Sequence, residues 1–198
     1  MKNGQSPAIS APGAPGAAAE PRYGTVAIAL HWVLAVAILT AFGVGLYLEG
    51  QPFSPAKLKL INWHKWAGVT ILALSLLRLV WRLTHRPPAL PARIEQAMPA
   101  WQRAAHHGTH HLMYLLFFAV PLLGWAYSSA KGFPVVWFGV LPLPDLVAPD
   151  PALADAIKPL HGLAAWGLIG LVALHVGAAL KHQFIDRDHL LARMRPGR

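Results

Sequence analysis

The sequence contains no cysteine and few charged residues. The absence of cysteine excludes disulfides, thiolate metal sites and cysteine-held iron–sulfur clusters. Charged residues make up 13% and hydrophobic residues 55% of the 198 residues, whereas an ordinary soluble domain is roughly 25% charged. The composition therefore indicates a membrane protein built as one domain with a few spanning helices.

Three long intervals lack Asp, Glu, Lys and Arg altogether: 23–48, 104–130 and 159–180. Each holds a span of the ~20 apolar residues that a membrane helix needs. A fourth segment is interrupted by Lys65 and Arg78, but both lie near its ends, where long cationic side chains reach the membrane interface. We predict an all-α membrane protein, a four-transmembrane-helix bundle with helices near 26–48, 61–83, 107–128 and 159–181.

The two ends of the chain have different compositions. Residues 1–25 are rich in Ala, Pro, Gly and Ser, which predicts a disordered cytoplasmic tail, and Lys2 is not followed by the apolar segment of a signal peptide. The membrane domain then spans 26–183, and 184–198 is predicted to be a basic cytoplasmic tail. With both termini inside, twelve Lys and Arg lie on the inner side and five on the outer side. This imbalance favours that orientation and explains the net charge of +9 without nucleic acid.

The connection between the third and fourth predicted helices, residues 131–158, is long and contains five prolines. A loop of this length is often functional. Two interpretations are open: a lid across the outer mouth of the bundle, or a partly disordered connector.

Histidines occur at two depths of the predicted bundle. In "LHGLAAWGLIGLVALH" His161 and His175 are 14 residues apart, which a helix converts to ~21 Å on nearly the same face. His64 matches His161 at the outer level and His31 matches His175 at the inner level. Further histidines compete at the inner level: His106, His107, His110 and His111. The arrangement suits two noncovalent haem b groups, each held between imidazoles of facing helices.

Other residues support this interpretation less directly. Arg78 follows His64 by 14 residues, so it either pairs with a haem propionate or reaches the inner headgroups. His110, within "HHGTHH", either borders a quinone site or lies at the wet interface. Four glycines either leave room for a flat macrocycle or reflect ordinary close packing of membrane helices: Gly45, Gly68, Gly124 and Gly162. A zinc site is disfavoured because no carboxylate lies within the predicted spans.

Four segments together resemble the bacterial cytochrome b561 family. They are "IALHWVLAVAI", "INWHKWAGVTILALSLLRLVWRL", "HHLMYLLFFAVPLLGW" and "LHGLAAWGLIGLVALHVGAALKHQF". The resemblance covers roughly residues 22–195. It implies a four-helix di-haem protein of the bacterial inner membrane, whose iron ligands would be His31, His64, His161 and His175.

The resemblance also implies an activity, superoxide oxidase, in which superoxide gives electrons at the outer haem and ubiquinone receives them at the inner one. His182 in "LKHQF" is then the expected quinone contact, with His110 and Arg78 as further candidates. Five outer lysines are either guides for a small anion or ordinary loop residues: Lys57, Lys59, Lys65, Lys131 and Lys158.

We therefore predict an oxidoreductase that transfers electrons from superoxide to ubiquinone. One alternative keeps the haems and changes the donor: a cytochrome b subunit that passes electrons from a periplasmic hydrogenase or dehydrogenase to quinone. The other is a nonredox membrane protein whose histidines bind metal or only pack. The expected partners are membrane lipid, ubiquinone and superoxide or another periplasmic donor, with no nucleic acid.

Overall fold

A computed structural model describes residues 22–188 and 190–196. Most of the predicted N-terminal tail, residues 1–21, lies outside the described residues. So do residues 189, 197 and 198 of the predicted C-terminal tail.

Four helices of the described chain are long and apolar enough to cross a membrane. They form an antiparallel bundle in which α1 packs on α2, α2 on α4 and α4 on α5. The prediction of an all-α four-helix membrane bundle is confirmed. The helices are α1 Thr25–Glu49, α2 Pro55–Thr84, α3 Ala92–Ala97, α4 Ala100–Ala130 and α5 Pro151–Lys181. The end of the bundle that carries both described chain ends is called the terminal end, and the opposite end is called the loop end.

Three of the long helices begin earlier than the hydropathy pattern predicts. They start at 55, 100 and 151 instead of 61, 107 and 159. The Ser54 side chain accepts a hydrogen bond from the backbone of Lys57 at 3.2 Å, and the Asp150 side chain accepts one from Leu153 at 3.1 Å. Each cap is followed by proline, a favoured first residue of a helix. A hydropathy pattern detects only the membrane-buried part of a helix. The first turns of these three helices were therefore not predicted.

The packed core of the bundle is small and lies midway between its two ends. It contains one cluster of buried residues with members from all four long helices: Leu34, Ile38, Ile71, Phe117 and Leu168. Large apolar side chains elsewhere on these helices are exposed, for example Val36, Leu39, Leu77, Leu115 and Leu174. Such a surface matches a lipid environment, where apolar groups need not be buried in protein.

The loop-end connection, residues 131–150, is ordered and contains a short hairpin of β1 (Val136–Trp137) and β2 (Leu141–Pro142). The indole of Trp66 on α2 donates to the Val136 carbonyl at 2.6 Å. In return the indole of Trp137 donates to the Thr70 hydroxyl at 3.2 Å. These bonds fasten the hairpin to α2, so the disordered-connector interpretation is wrong.

The C-terminal segment folds back onto the terminal end of the bundle. After α5 the chain forms a π-helical turn, His182–Asp186, and then a 3-10 helix, Leu190–Met194. The Trp32 indole donates to the Met194 carbonyl at 2.8 Å. Arg193 is only 5% exposed and donates to the carbonyls of Pro88 and Ala89. The described part of 184–198 is thus bound to the bundle, which corrects the expectation of a simple basic tail.

Candidate functional site

His64 on α2 and His161 on α5 face each other near the loop end. Their ring centroids are 6.3 Å apart and their planes are nearly perpendicular, at 89°. His161 Nδ1 donates to the Val120 carbonyl at 3.0 Å, which leaves Nε2 as its free nitrogen. His64 Nδ1 is buried and forms no hydrogen bond with any described residue; the Ala41 carbonyl lies beside it. A buried polar atom of this kind calls for an explanation.

A cavity separates this pair from the bundle core. Its empty space, open mouth included, is about 830 Å³. Both histidines line it together with residues of all four long helices. No residue of the loop 131–150 lines it among those the structure describes, so the loop forms no wall of this cavity. The loop joins α2 to α4 at the loop end of the bundle, since Trp125 on α4 donates to the Pro144 carbonyl at 3.2 Å.

Glycines surround the cavity in two ways. A Cβ at Gly124 would lie 3.0 Å from His161 Cε1, and one at Gly45 would lie 3.3 Å from His64 Cε1. These two glycines let the rings approach the neighbouring helix. Gly68 and Gly162 also line the cavity, and a Cβ at either position would meet no described side chain within 4 Å. These two glycines keep the cavity walls flat.

Glu49, the last residue of α1, also lines the cavity. Sequence reasoning missed it because it lies just beyond the uncharged interval of α1. Its spacing could have indicated this position. Glu49 follows Gly45 by four residues, about one helical turn, and so lies on the same face of α1. Glu49 brings a negative charge to the cavity mouth.

At the terminal end, His31 on α1 and His175 on α5 have ring centroids 6.2 Å apart and an interplanar angle of 62°. His110 on α4 approaches His175 too, at 5.3 Å. Its Nδ1 donates to the His106 carbonyl at 2.9 Å. Of the four competing histidines, His110 is therefore the one whose ring reaches His175, while the His111 ring is bonded to the carbonyl of His107.

Arg78 points into the bundle. Its guanidinium donates to His31 Nδ1 at 3.1 Å and lies over the Tyr114 ring. Because guanidinium has no acceptor, His31 Nδ1 accepts and the ring proton resides on Nε2. In the structure Arg78 therefore lies inside the bundle rather than extending to the headgroups.

Lys65 is bound by the loop-end structure. Its ammonium donates to the Ser128 hydroxyl at 3.2 Å, the Phe133 carbonyl at 3.3 Å and the Pro134 carbonyl at 3.1 Å. Because the Lys65 ammonium donates to three acceptors within the protein, its charge serves to hold the structure together. It fastens the start of the loop to α2 next to His64.

The other four candidate lysines differ in whether their ammonium groups already have partners within the protein. Lys131 forms an ion pair with Asp155 at 3.0 Å, and this hydrogen bond raises the pKa of the Lys131 ammonium above its ordinary value. Lys57 donates to the Gln51 carbonyl at 2.6 Å. Lys59 lies over the Trp63 ring at 5.1 Å, and Lys158 is exposed. Steering of an anion would thus depend mainly on Lys59 and Lys158.

His182 begins the π-helical turn that follows α5. Its Nδ1 donates to Asp188 Oδ2 at 2.6 Å and lies 3.2 Å from Asp186 Oδ2. π-Helical turns are rare and occur often at functional sites. Sequence reasoning missed both carboxylates, because Asp188 reaches His182 only through a reversal of the chain.

The spacing of the two facing pairs shows whether they fit haem. Two metal–nitrogen bonds of about 2 Å each, together with the ring radii, separate two ring centroids by roughly 6 Å. The pairs measure 6.3 and 6.2 Å. The outer pair also lines a cavity to which all four long helices contribute residues. These residues fit haem.

A comparison with protein families decides the identity. The family model described as "Prokaryotic cytochrome b561" matches residues 22–197. The chain belongs to this family. It is therefore a multi-pass bacterial membrane protein that transfers electrons. Members of the cytochrome b561 family bind b-type haem. This confirms the resemblance that the four sequence segments indicated.

Curated relatives agree with the family. "Cytochrome b561 homolog 2" of Escherichia coli (strain K12) is 34% identical over 175 residues, which are 87% of this chain and 90% of the relative. "Cytochrome b561 homolog 1" of the same strain is 32% identical over 89% of this chain and 98% of the relative. The "Probable superoxide oxidase CybB" of Yersinia pestis is 31% identical over 88% and 96%. The cytochrome b561 similarity thus extends over almost the whole membrane domain.

Proposed function

We propose that this protein is a di-haem superoxide:ubiquinone oxidoreductase of the bacterial inner membrane. The observation that carries the proposal is the presence of two facing histidine pairs at opposite levels of one bundle, each with haem-compatible spacing. His64 and His161 would hold one haem b at the loop end, and His31 and His175 the other at the terminal end. Haem iron between two imidazoles exchanges one electron at a time.

The orientation follows from the cations. The terminal end carries Arg82, Arg86 and Arg103 and the described basic residues of the C-terminal segment, whereas the loop end carries the five candidate lysines. By the positive-inside rule the terminal end is cytoplasmic. Electrons then enter from the periplasm at the loop end and leave at the cytoplasmic side.

The outer pair is prepared to bind a metal centre by its surroundings. The bond from His161 Nδ1 to the Val120 carbonyl fixes the ring orientation and its tautomer. His64 lies across the cavity with Gly45 behind it. Little rearrangement of these two rings is needed to hold a group between them.

The inner pair requires one movement. A neutral imidazole that ligates iron through Nε2 carries its proton on Nδ1, so His31 cannot then accept from Arg78. Arg78 would then have to turn aside, and a haem propionate would be a suitable new partner for its half-buried guanidinium. His110 remains a candidate border of the quinone site, because its ring adjoins His175.

The proposed reaction conserves electrons and protons. Two superoxide ions each lose one electron and become two O₂, and one ubiquinone gains two electrons and two protons to become ubiquinol. Ubiquinone enters from lipid beside the terminal end, where His182 is within reach of the membrane interface. The name of the Yersinia pestis relative supports superoxide as the donor.

A stopped-flow experiment tests the proposal. Superoxide is mixed with the oxidised purified protein, and reduced b-type absorbance is followed with and without ubiquinone. We expect rapid reduction without quinone and continuing turnover with it. Failure of superoxide to reduce a protein with two haems per chain would refute the proposed donor, and a purified protein without b-type bands would favour the nonredox alternative.

An exposed apolar surface favours one second candidate, a cytochrome b subunit served by a periplasmic dehydrogenase. In the ordered loop Phe133 is 62%, Phe138 58% and Val140 84% exposed. Apolar groups presented on a fixed hairpin are suited to docking a partner. Copurification of an iron–sulfur protein, lost when Phe138 is changed to Ser, would support this function over superoxide oxidation.

A further inference from the structure

We propose that Asp188 positions His182 for proton transfer to the quinone, and that the groove beside them supplies protons from the cytoplasmic side. The inference rests on the proposed function, since it takes His182 as the quinone contact. It adds a residue and a proton route, which the reduction of quinone to quinol requires.

The chain geometry brings Asp188 back onto His182. The backbone N–H of Arg187 donates to the His182 carbonyl and closes the π-helical turn. Arg187 itself is left-handed, with φ 54° and ψ 33°, a conformation that residues other than glycine seldom adopt. Asp188 N–H also donates to the His182 carbonyl, at 3.2 Å. An uncommon turn followed by an uncommon backbone conformation thus places one carboxylate beside one imidazole.

Both oxygens of Asp188 are engaged. Oδ2 accepts from His182 Nδ1 at 2.6 Å, and Oδ1 accepts from the backbone of Leu190 at 3.2 Å. The residue is only 9% exposed. Because a carboxylate only accepts, Nδ1 carries a proton and Nε2 is the nitrogen available to a substrate. The ring is thus held in one orientation, in which Nε2 is the nitrogen that can exchange a proton with a substrate.

A groove next to the pair is open to the outside. It has about 780 Å³ of empty space with its mouth included, and His182, Asp186 and Asp188 line one side of it. Ile94, Met98 and Gln102 line the side formed by α3 and the start of α4. The charged and titratable groups around His182 are Asp186 and Asp188, with Lys181, Arg187 and the nearby His106 on α4. Water in such a groove can bring protons to the ring.

The proton donor in this proposal is the doubly protonated ring of His182. As the quinone takes up electrons, His182 gives its Nε2 proton to a quinone oxygen and keeps its Nδ1 proton on Asp188. The neutral ring then takes one proton from water in the groove. Two such cycles supply the two protons of quinol, and no further oxidant or reductant is needed.

The test compares Asp188→Asn with the matched control Asp155→Asn. An amide has a single acceptor oxygen, so it cannot serve both Leu190 and His182. Asp155 lies at the loop end of the bundle, far from His182, where its exposed carboxylate pairs with Lys131 at 3.0 Å. Reduced holoprotein is mixed with a soluble ubiquinone analogue, and haem reoxidation is measured at saturating quinone in H₂O and D₂O. We expect Asp188→Asn to slow reoxidation roughly 10- to 100-fold with a larger solvent isotope effect, and Asp155→Asn to change it less than about twofold.

Further variants separate this inference from the proposed function. His182→Gln alone should slow reoxidation, and the double variant His182→Gln/Asp188→Asn should be no slower, because Asp188 acts through His182. Unchanged reoxidation in His182→Gln would remove His182 from the proposed function. A slow His182→Gln with a normal Asp188→Asn, or an additive double variant, would overturn the inference alone.

A folding defect has its own check. If Asp188→Asn loses haem, Asp188→Glu keeps the charge and both acceptor oxygens but displaces them from the ring. Positioning predicts that Asp188→Glu retains both haems and is slow in reoxidation. Wild-type reoxidation in this variant would overturn the assignment of a positioning residue.

Discussion

The Arg78 guanidinium donates a hydrogen bond to His31 Nδ1 at 3.1 Å. Sequence reasoning left this arginine open between a haem propionate and the inner headgroups, and the structure places it against a proposed haem ligand. One side chain would switch from an imidazole to a carboxylate when the inner site is filled. The inner site depends on this arginine more than the outer site does.

Replacing Arg78 tests that dependence. Arg78→Gln should lower occupancy of the inner haem because the propionate loses its bidentate cation. The outer haem should be unaffected. Pyridine-haemochrome content and low-temperature spectra measure both. Arg82→Gln, one turn along α2 and exposed, is the control, and equal haem loss in the two variants would contradict the prediction.

The two-level arrangement predicts selective haem loss. His161→Ala should remove the loop-end haem and His175→Ala the terminal-end haem, each lowering haem content from about two to about one per chain because an axial ligand is lost. Redox titration of the remaining haem identifies which one persists. Loss of both haems from a still-folded single variant would show that the levels are wrongly assigned.

Gly124 is predicted to be required for the outer site. In Gly124→Ala the new methyl group would lie 3.0 Å from His161 Cε1, so the ring must move and its bond to Val120 weakens. We expect a loss or spectral shift of the outer haem alone. Gly108→Ala on the same helix meets nothing within 4 Å among the described residues, and should be neutral or stabilising by up to about 1 kcal/mol. Identical spectra of the two variants would contradict the prediction.

Lys65 is predicted to stabilise the protein. Lys65→Met removes the donor to Ser128, Phe133 and Pro134 and should lower the free energy of unfolding by about 1–3 kcal/mol. Thermal unfolding in detergent measures the loss. Lys59→Met removes a cation of the same type from the ring of Trp63 and should cost about 1 kcal/mol or less. A greater loss of stability in Lys59→Met would argue against the structural function of Lys65.

Much of the fold follows from the sequence alone. Three charge-free intervals, and a fourth apolar segment with cations only near its ends, predicted four spanning helices because a bilayer demands about 20 apolar residues per crossing. The spacing of His161 and His175 predicted two levels because the rise of an α-helix is fixed. Both inferences use only the order of residues along the chain and the fixed geometry of an α-helix.

Other features were decided by the tertiary structure. Helix rotation determines that His110 as well as His31 faces His175, and that Arg78 contacts an imidazole. The hairpin determines that Lys65 binds carbonyls, and the π-helical turn with left-handed Arg187 determines that Asp188 meets His182. These contacts join residues whose relative orientation depends on packing and chain reversal. The sequence by itself determined which helices cross the membrane and at what depth the histidines lie, whereas packing decided which side chains meet there.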